Sequence, residues 1–278
     1  MLDRSETLRI LIEYAALKIV AFDVHSRTEL NIRGRQLPWY VVSYMKEGSC
    51  RLRLDGQDYH AAPGDVVLIP PHTSHDHVKD TDENTVFMWW HFTYQLAGVM
   101  DVLRLFELPV CFSLPNAEKF EDSFSQYMKY ASEPRSVADI LMKEARALEL
   151  MAIVLEAVID RSESLLTVKP SGMFAQMLTD MLRHPERHYS LEDLRERYHM
   201  HPTYISNQFK RIFGLTPKQF QAKLRLEQAK KLLLADEKSI TQIANALGYH
   251  DVDDFTRFFK KQEGLSPRAY KKAHPLLQ

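Results

Sequence analysis

From Trp39 to Tyr94 the apolar positions come in short runs rich in Val, Tyr, Phe and Trp. The runs are cut by Glu47-Gly48, Asp55-Gly56, Pro63-Gly64-Asp65 and Pro70-Pro71. Short strands punctuated in this way predict a small β-sandwich or barrel. Arg51-Leu52-Arg53-Leu54 alternates, so one face of that strand meets water. Asp55-Gly56 predicts a two-residue hairpin turn after it. Beyond Pro115 the period becomes helical, with helices expected over 117–131 and 137–162. In the second, Leu141, Leu148 and Leu155 fall seven apart, and Ala145, Ala152 and Ile159 each follow four later. That seam packs either on its own barrel or on the same seam of a second subunit. Residues 1–20 are ambiguous: Leu8, Leu11, Ile12 and Ala15 have helical spacing, while Lys18 to Val24 looks extended. Ser162, Ser164, Pro170, Ser171 and Gly172 mark a linker, and everything after it reads as helices with short turns.

The last third repeats itself. Lys210-Arg211-Ile212-Phe213-Gly214-Leu215-Thr216-Pro217 returns as Lys260-Lys261-Gln262-Glu263-Gly264-Leu265-Ser266-Pro267, 50 residues later. Such a repeat means one supersecondary unit used twice. In the first copy Ser190 caps a short helix, with Asp193 as the capping-box acid. A turn at His199-Met200-His201 follows, and Pro202 opens a second helix whose inward face is Ile205, Phe209 and Ile212. The second copy places Ser239 as cap, Ile240, Ile243 and Ala244 inward, Gly248 in the turn and Phe255 and Phe259 as anchors. A supporting helix, a tight turn and a recognition helix make a helix-turn-helix. The uninterrupted stretch Lys218–Ala235 predicts a long helix between the copies. Adjacent major-groove segments on one face of DNA lie about 34 Å apart.

Charge agrees with this division. The chain of 278 residues carries a net charge of −1. Residues 171–278 hold 18 Lys/Arg against 12 Asp/Glu, and the remainder 18 against 25. A basic half beside an acidic half assigns a polyanionic partner to the former. Cys50 and Cys111, the only cysteines, suit a reducing compartment better than a disulfide scaffold. No signal peptide or membrane span is expected, which places the protein in the cytoplasm.

Residues 190–272 resemble the DNA-binding domain of the AraC/XylS family of bacterial transcription regulators. The resemblance is carried by Ser239-Ile240-Thr241-Gln242-Ile243-Ala244, Leu247-Gly248-Tyr249, Phe255-Thr256-Arg257-Phe258-Phe259-Lys260-Lys261, Gly264-Leu265-Ser266-Pro267 and Arg225-Leu226-Glu227-Gln228-Ala229. It implies base reading by Thr203, Ser206 and Asn207 in the first unit and by Asp253, Thr256 and Arg257 in the second. Asn suits adenine and Arg suits guanine, each through paired hydrogen bonds. Lys210 and Lys260 would hold phosphates. The resemblance also implies promoter half-sites in double-stranded DNA and RNA polymerase as partners, and a homodimer. Its interface is expected at Leu141, Leu148, Leu155 and Ile159. Arg195 stands where the family has a small residue, so either the two helices of the first unit pack differently or Arg195 snorkels outward. His201 replaces the usual Ser cap. Asp253 and Asp254 place acids toward the groove, which predicts weaker binding by the second unit.

Residues 30–95 resemble a cupin barrel. Gly64-Asp65-Val66-Val67-Leu68-Ile69-Pro70-Pro71-His72-Thr73-Ser74-His75 corresponds to its second motif, and Phe87-Met88-Trp89-Trp90-His91-Phe92 to the following strand in the family's sugar-sensing domains. Metal cupins take two His and a Glu from a first motif. The matching stretch, Gln36 to Val41, has neither, so no metal, cofactor or catalytic residue is expected. A cupin metalloenzyme fused to a DNA-binding domain, or a regulator with a non-sugar or no effector, is the competing reading. The resemblance implies a mono- or oligosaccharide effector held by Glu47, His77 and Trp89, with His75 and Trp39 next. The expected fold is α+β in two domains. Residues 1–115 form a cupin-like jelly-roll barrel with an N-terminal arm, 116–162 a helical hairpin, and 163–172 a linker. Residues 173–278 form an all-α domain of two helix-turn-helix units joined by a long helix.

Overall fold

The computed structural model describes residues 13–79, 84–106, 108–133, 135–159, 172–235 and 237–274. Residues 1–12 of the expected arm and 163–171 of the expected linker lie outside them. The chain divides into two compact units, one of Leu17–Tyr94 and Phe106–Thr167, the other of Met1–Ala16, Gln95–Leu105 and Val168–Gln278.

Among the described residues ten strands form two sheets: β1 (Ala15–Arg27), β2 (Asn31–Arg35), β3 (Tyr40–Glu47), β4 (Cys50–Leu54), β5 (Gln57–Ala61), β6 (Asp65–Ile69), β7 (His75–Val78), β8 (Thr85–Leu96), β9 (Met100–Asp101) and β10 (Cys111–Ser113). One sheet runs β1-β8-β3-β6-β10, with β9 on β8, and the other β2-β7-β4-β5. The hairpin at Asp55-Gly56 has φ of 49° and 83°. Two left-handed residues in a two-residue loop give the turn whose twist matches the flanking strands. β4 alternates buried and exposed as its sequence predicts.

β3 is buried continuously from Tyr40 to Met45 because both its faces are covered. Val41 and Met45 join Leu52, Leu54, Val67 and Ile69 in the barrel core. On the other face Tyr44 packs on Phe120 of the helix α1 (Ala117–Ser132). β8 divides its side chains in the same way. Trp90 stacks on Phe120 and packs beside Phe124, while Trp89 and His91 face the barrel interior beside each other, 4.6 Å between ring centroids. α1 forms a hairpin with α2 (Val137–Ile159).

From Gly172 onward the second unit is helical: α3 (Gly172–Arg183), α4 (Leu191–Tyr198), α5 (Pro202–Phe213), α6 (Pro217–Leu234), α7 (Ile240–Ala246), α8 (Val252–Glu263) and α9 (Pro267–Ala273). Hydroxyl caps and capping boxes begin α4, α6 and α7, satisfying amide donors that helix starts leave unpaired. α6 is the long helix expected between the repeats. Its buried Gln221 amide accepts a hydrogen bond from the Tyr189 backbone N–H and donates one to the Tyr189 carbonyl. No helix among the described residues is long and apolar enough to cross a membrane.

Candidate functional site

The two repeat units share one order of elements: a capped short helix, a turn and a second helix. Ser190 and Asp193 close a capping box on α4, whose inward residues are Leu194 and Tyr198. His199 turns the chain at φ 53°. The ring of His201 accepts a hydrogen bond from the Thr203 N–H at 3.3 Å, replacing the usual hydroxyl cap of α5. α5 buries Ile205, Phe209 and Phe213. This corrects the expected inward face, because the four-residue step from Phe209 carries Phe213 inward and leaves Ile212 half-buried. In the second unit Ser239 and Gln242 cap α7, Gly248 turns at φ 80°, and α8 buries Phe255 and Phe259.

The outward residues of α5 and α8 correspond. Thr203, Asn207 and Lys210 are exposed and Ser206 is half-buried; Asp253, Arg257 and Lys260 are exposed and Thr256 is half-buried. They differ in charge. Asp251 accepts from the Asp253 N–H at 2.9 Å as cap of α8, and Asp254 pairs with Arg257. The first turn of α8 therefore carries two carboxylates where α5 has none, and the single guanidinium on that face is partly neutralised. Sequence reasoning identified the acids but missed the pair, although three-residue spacing on a helix is its signal. Arg195 points outward and pairs with Glu192.

The barrel holds a cavity of about 320 Å³, lined by residues from β1, β2, β3, β7 and β8. Of the five residues expected at an effector site, His77 and Trp89 line it. Glu47 sits exposed at the end of β3, outside the lining. His75 is buried beside His77, their rings 6.0 Å apart, and Trp39 stacks on His91; both stand behind the lining. The sequence reading missed Arg35, Ser43 and His91. His91 had a signal, since it lies two residues from Trp89 on one strand face.

The polar groups of the cavity are unusually unpaired. Among the described residues, the buried His77 Nε2 and Trp89 Nε1 have no hydrogen-bond partner. Burial, then His75 and Arg35, pushes the His77 pKa down to about 4. His91 is also pushed down to about 4, by burial and then Arg35. Both rings are therefore neutral near pH 7, each offering one donor and one acceptor. No group of three or more His, Cys, Asp or Glu suited to a metal ion gathers among the described residues.

The α2 seam faces outward. Leu141 and Leu148 are 64% and 55% exposed and Leu155 is half-buried, while Leu150, Met151, Val154 and Val158 turn inward. The side chain of Ile159 is outside the described residues.

Residues 19–151 match the AraC-like ligand binding domain, and residues 194–273 match a helix-turn-helix domain. Similar proteins include the uncharacterized HTH-type transcriptional regulator YisR of Bacillus subtilis, 24% identical over 260 residues, with 84% of this chain and 85% of that one covered. The MmsAB operon regulatory protein of Pseudomonas aeruginosa is 25% identical over 244 residues, covering 84% of this chain and 75% of that one. The arabinose operon regulatory protein of Salmonella typhimurium is 22% identical over 240 residues, covering 84% and 83%.

Proposed function

The chain belongs to the AraC family of transcription regulators, and on that premise we propose that a sugar-class effector in the barrel cavity controls how the helical unit engages DNA. The observation that carries the effector reading is the pair of buried, partnerless groups at the cavity wall, His77 Nε2 and Trp89 Nε1. A buried polar atom left unpaired costs about 1–3 kcal/mol, and a hydroxyl-rich ligand supplies its partner. The indole face of Trp89 offers a stacking surface to a sugar ring. The cavity volume lies at the small end of the range for small-molecule sites, about 300–1,000 Å³. One similar protein regulates an arabinose operon by name, which favours sugars without choosing one.

On the DNA side, Thr203, Ser206 and Asn207 read bases through α5, and Asp253, Thr256 and Arg257 through α8. Lys210 and Lys260 hold phosphates. The exposed seam of Leu141 and Leu148, continued by Leu155 and Ile159, pairs two subunits on a promoter with RNA polymerase as the downstream partner. Such a protein works in the cytoplasm, by regulation rather than catalysis. Thermal-shift screening of the full chain against mono- and disaccharides, repeated as DNA mobility shifts, tests the reading. Stabilisation by a sugar that also alters the DNA complex is expected, and loss of that response in Trp89→Ala. No stabilisation by any sugar overturns the effector assignment.

A further inference from the structure

We propose that the effector is acidic, a hydroxyl-bearing carboxylate or phosphate such as a sugar acid or sugar phosphate, and that Arg35 holds its anionic group. The inference rests on the barrel cavity being the effector site and names the chemistry of what enters it.

The argument begins with compensation of charge. Around the barrel most cations have partners: Lys46 with Glu121 at 2.7 Å, Arg53 with Asp58 at 3.7 Å, Arg33 with Asp76 at 3.9 Å, and Arg146 with Glu149. Arg35 departs from this pattern. It ends β2, directly across from His75 in the β2–β7 ladder, is half-buried, and lines the cavity. No ion pair or hydrogen bond of its side chain to another described residue occurs. A guanidinium partly withdrawn from water without a counterion is unfavourable, and its planar fork of donors matches a carboxylate or phosphate.

The surroundings favour an anion over a neutral molecule. The positive charge of Arg35 reaches across the cavity, holding down the proton affinity of His75, His77 and His91 alongside their burial. Those histidines stay neutral and leave Arg35 as the cation of the inner wall. Arg27 and Glu29, the other charged lining residues, are exposed at the rim and oppose each other in sign. The remaining inner groups are suited to hydroxyls: Ser43, His77 Nε2 and the Trp89 indole N–H. One anionic contact and several neutral ones on a single wall describe a small polyhydroxy acid.

The test uses the full chain and isothermal titration with D-glucuronate, D-galacturonate and D-glucose 6-phosphate, each beside its neutral parent sugar. Arg35→Gln and Arg35→Ala are compared with the unaltered chain, and Trp89→Ala serves as the cavity control. Circular dichroism and retained DNA binding establish that each variant is folded. An acidic probe is expected to bind more tightly than its parent, and either Arg35 variant to weaken it by about 10- to 100-fold, far more than it weakens the parent sugar. The uronate and phosphate arms separate the two sources of charge. Equal binding of acid and parent, or acid binding indifferent to Arg35, overturns the inference and leaves the sugar reading intact. Binding by no probe, or binding indifferent to Trp89→Ala, removes the cavity reading and this inference together.

Discussion

Replacing Gly248 by Ala isolates the close approach that seats the second helix-turn-helix. Gly248 has φ of 80°, and a Cβ there would lie 2.0 Å from the Glu186 backbone oxygen. Two costs follow. The left-handed backbone costs an Ala roughly 1–2 kcal/mol. Restoring ordinary carbon–oxygen contact, about 3.3 Å, requires the two backbones to separate by roughly 1.3 Å. Overpacking of that kind costs about 1–3 kcal/mol. The sum is about 2–5 kcal/mol. Gly264 supplies the control: its φ is 81°, and a Cβ added there would meet nothing within 4 Å, so Gly264→Ala pays only the backbone cost. Hydrogen exchange of α7 and α8 amides in the full chain reads each loss locally, tenfold for every 1.4 kcal/mol. Gly248→Ala is expected to lower protection about 5- to 100-fold further than Gly264→Ala. Equal losses at the two glycines would refute the steric argument and leave backbone conformation as the whole effect.

Four further outcomes follow from the same geometry. Asp254→Asn releases Arg257 and removes a carboxylate from the groove-facing side of α8; DNA affinity should rise, and the slope of log K against log salt should steepen by about 1, measured by fluorescence anisotropy across salt concentrations, whereas an unchanged slope removes the ion pair from the account. Asn207→Ala should cost roughly 1–3 kcal/mol at one base position, seen by binding a panel of single-base operator variants, and a uniform loss over all sequences contradicts base reading. Leu148→Glu, placed on an exposed seam, should convert dimer to monomer in sedimentation without lowering the melting temperature of the monomer. His77 and His91 bind protons more weakly folded, near pH 4, than unfolded, near 6.5, so their contribution is full above pH 6.5 and is lost as pH falls toward 4. On the order of 2–3 kcal/mol per histidine is at stake, and urea midpoints flat from pH 7 to 4.5 would contradict their burial as neutral rings.

Local features were legible because their causes are local. The Asp55-Gly56 turn, the Ser190 and Ser239 caps and the start of α5 at Pro202 depend on residues within a few positions of each other, and the structure places all of them as read. The inward step to Phe213 was missed by one residue because both Ile212 and Phe213 are apolar and a helical period alone decides weakly between neighbours. The cavity was less legible. Its lining comes from five strands whose pairing is non-local, so Arg35 and His91 gave little indication of meeting. Glu47 fits an effector site by position in the sequence, yet it lies at the exposed end of β3, beyond an irregularity in its pairing with β8 between Met45 and Glu47. The contact of Gly248 with Glu186 spans distant segments and leaves no trace in either one.

Trp89 and Trp90 share one peptide bond and face opposite ways. The first belongs to the wall of the cavity; the second lies against Phe120 and Phe124 of α1, the partner of the helix that carries Leu141 and Leu148. In a pleated strand these two side chains stand on opposite faces of one backbone. A ligand that displaces the β8 backbone through Trp89 would also move Trp90 against α1. β8 thus joins the cavity wall to the helical hairpin.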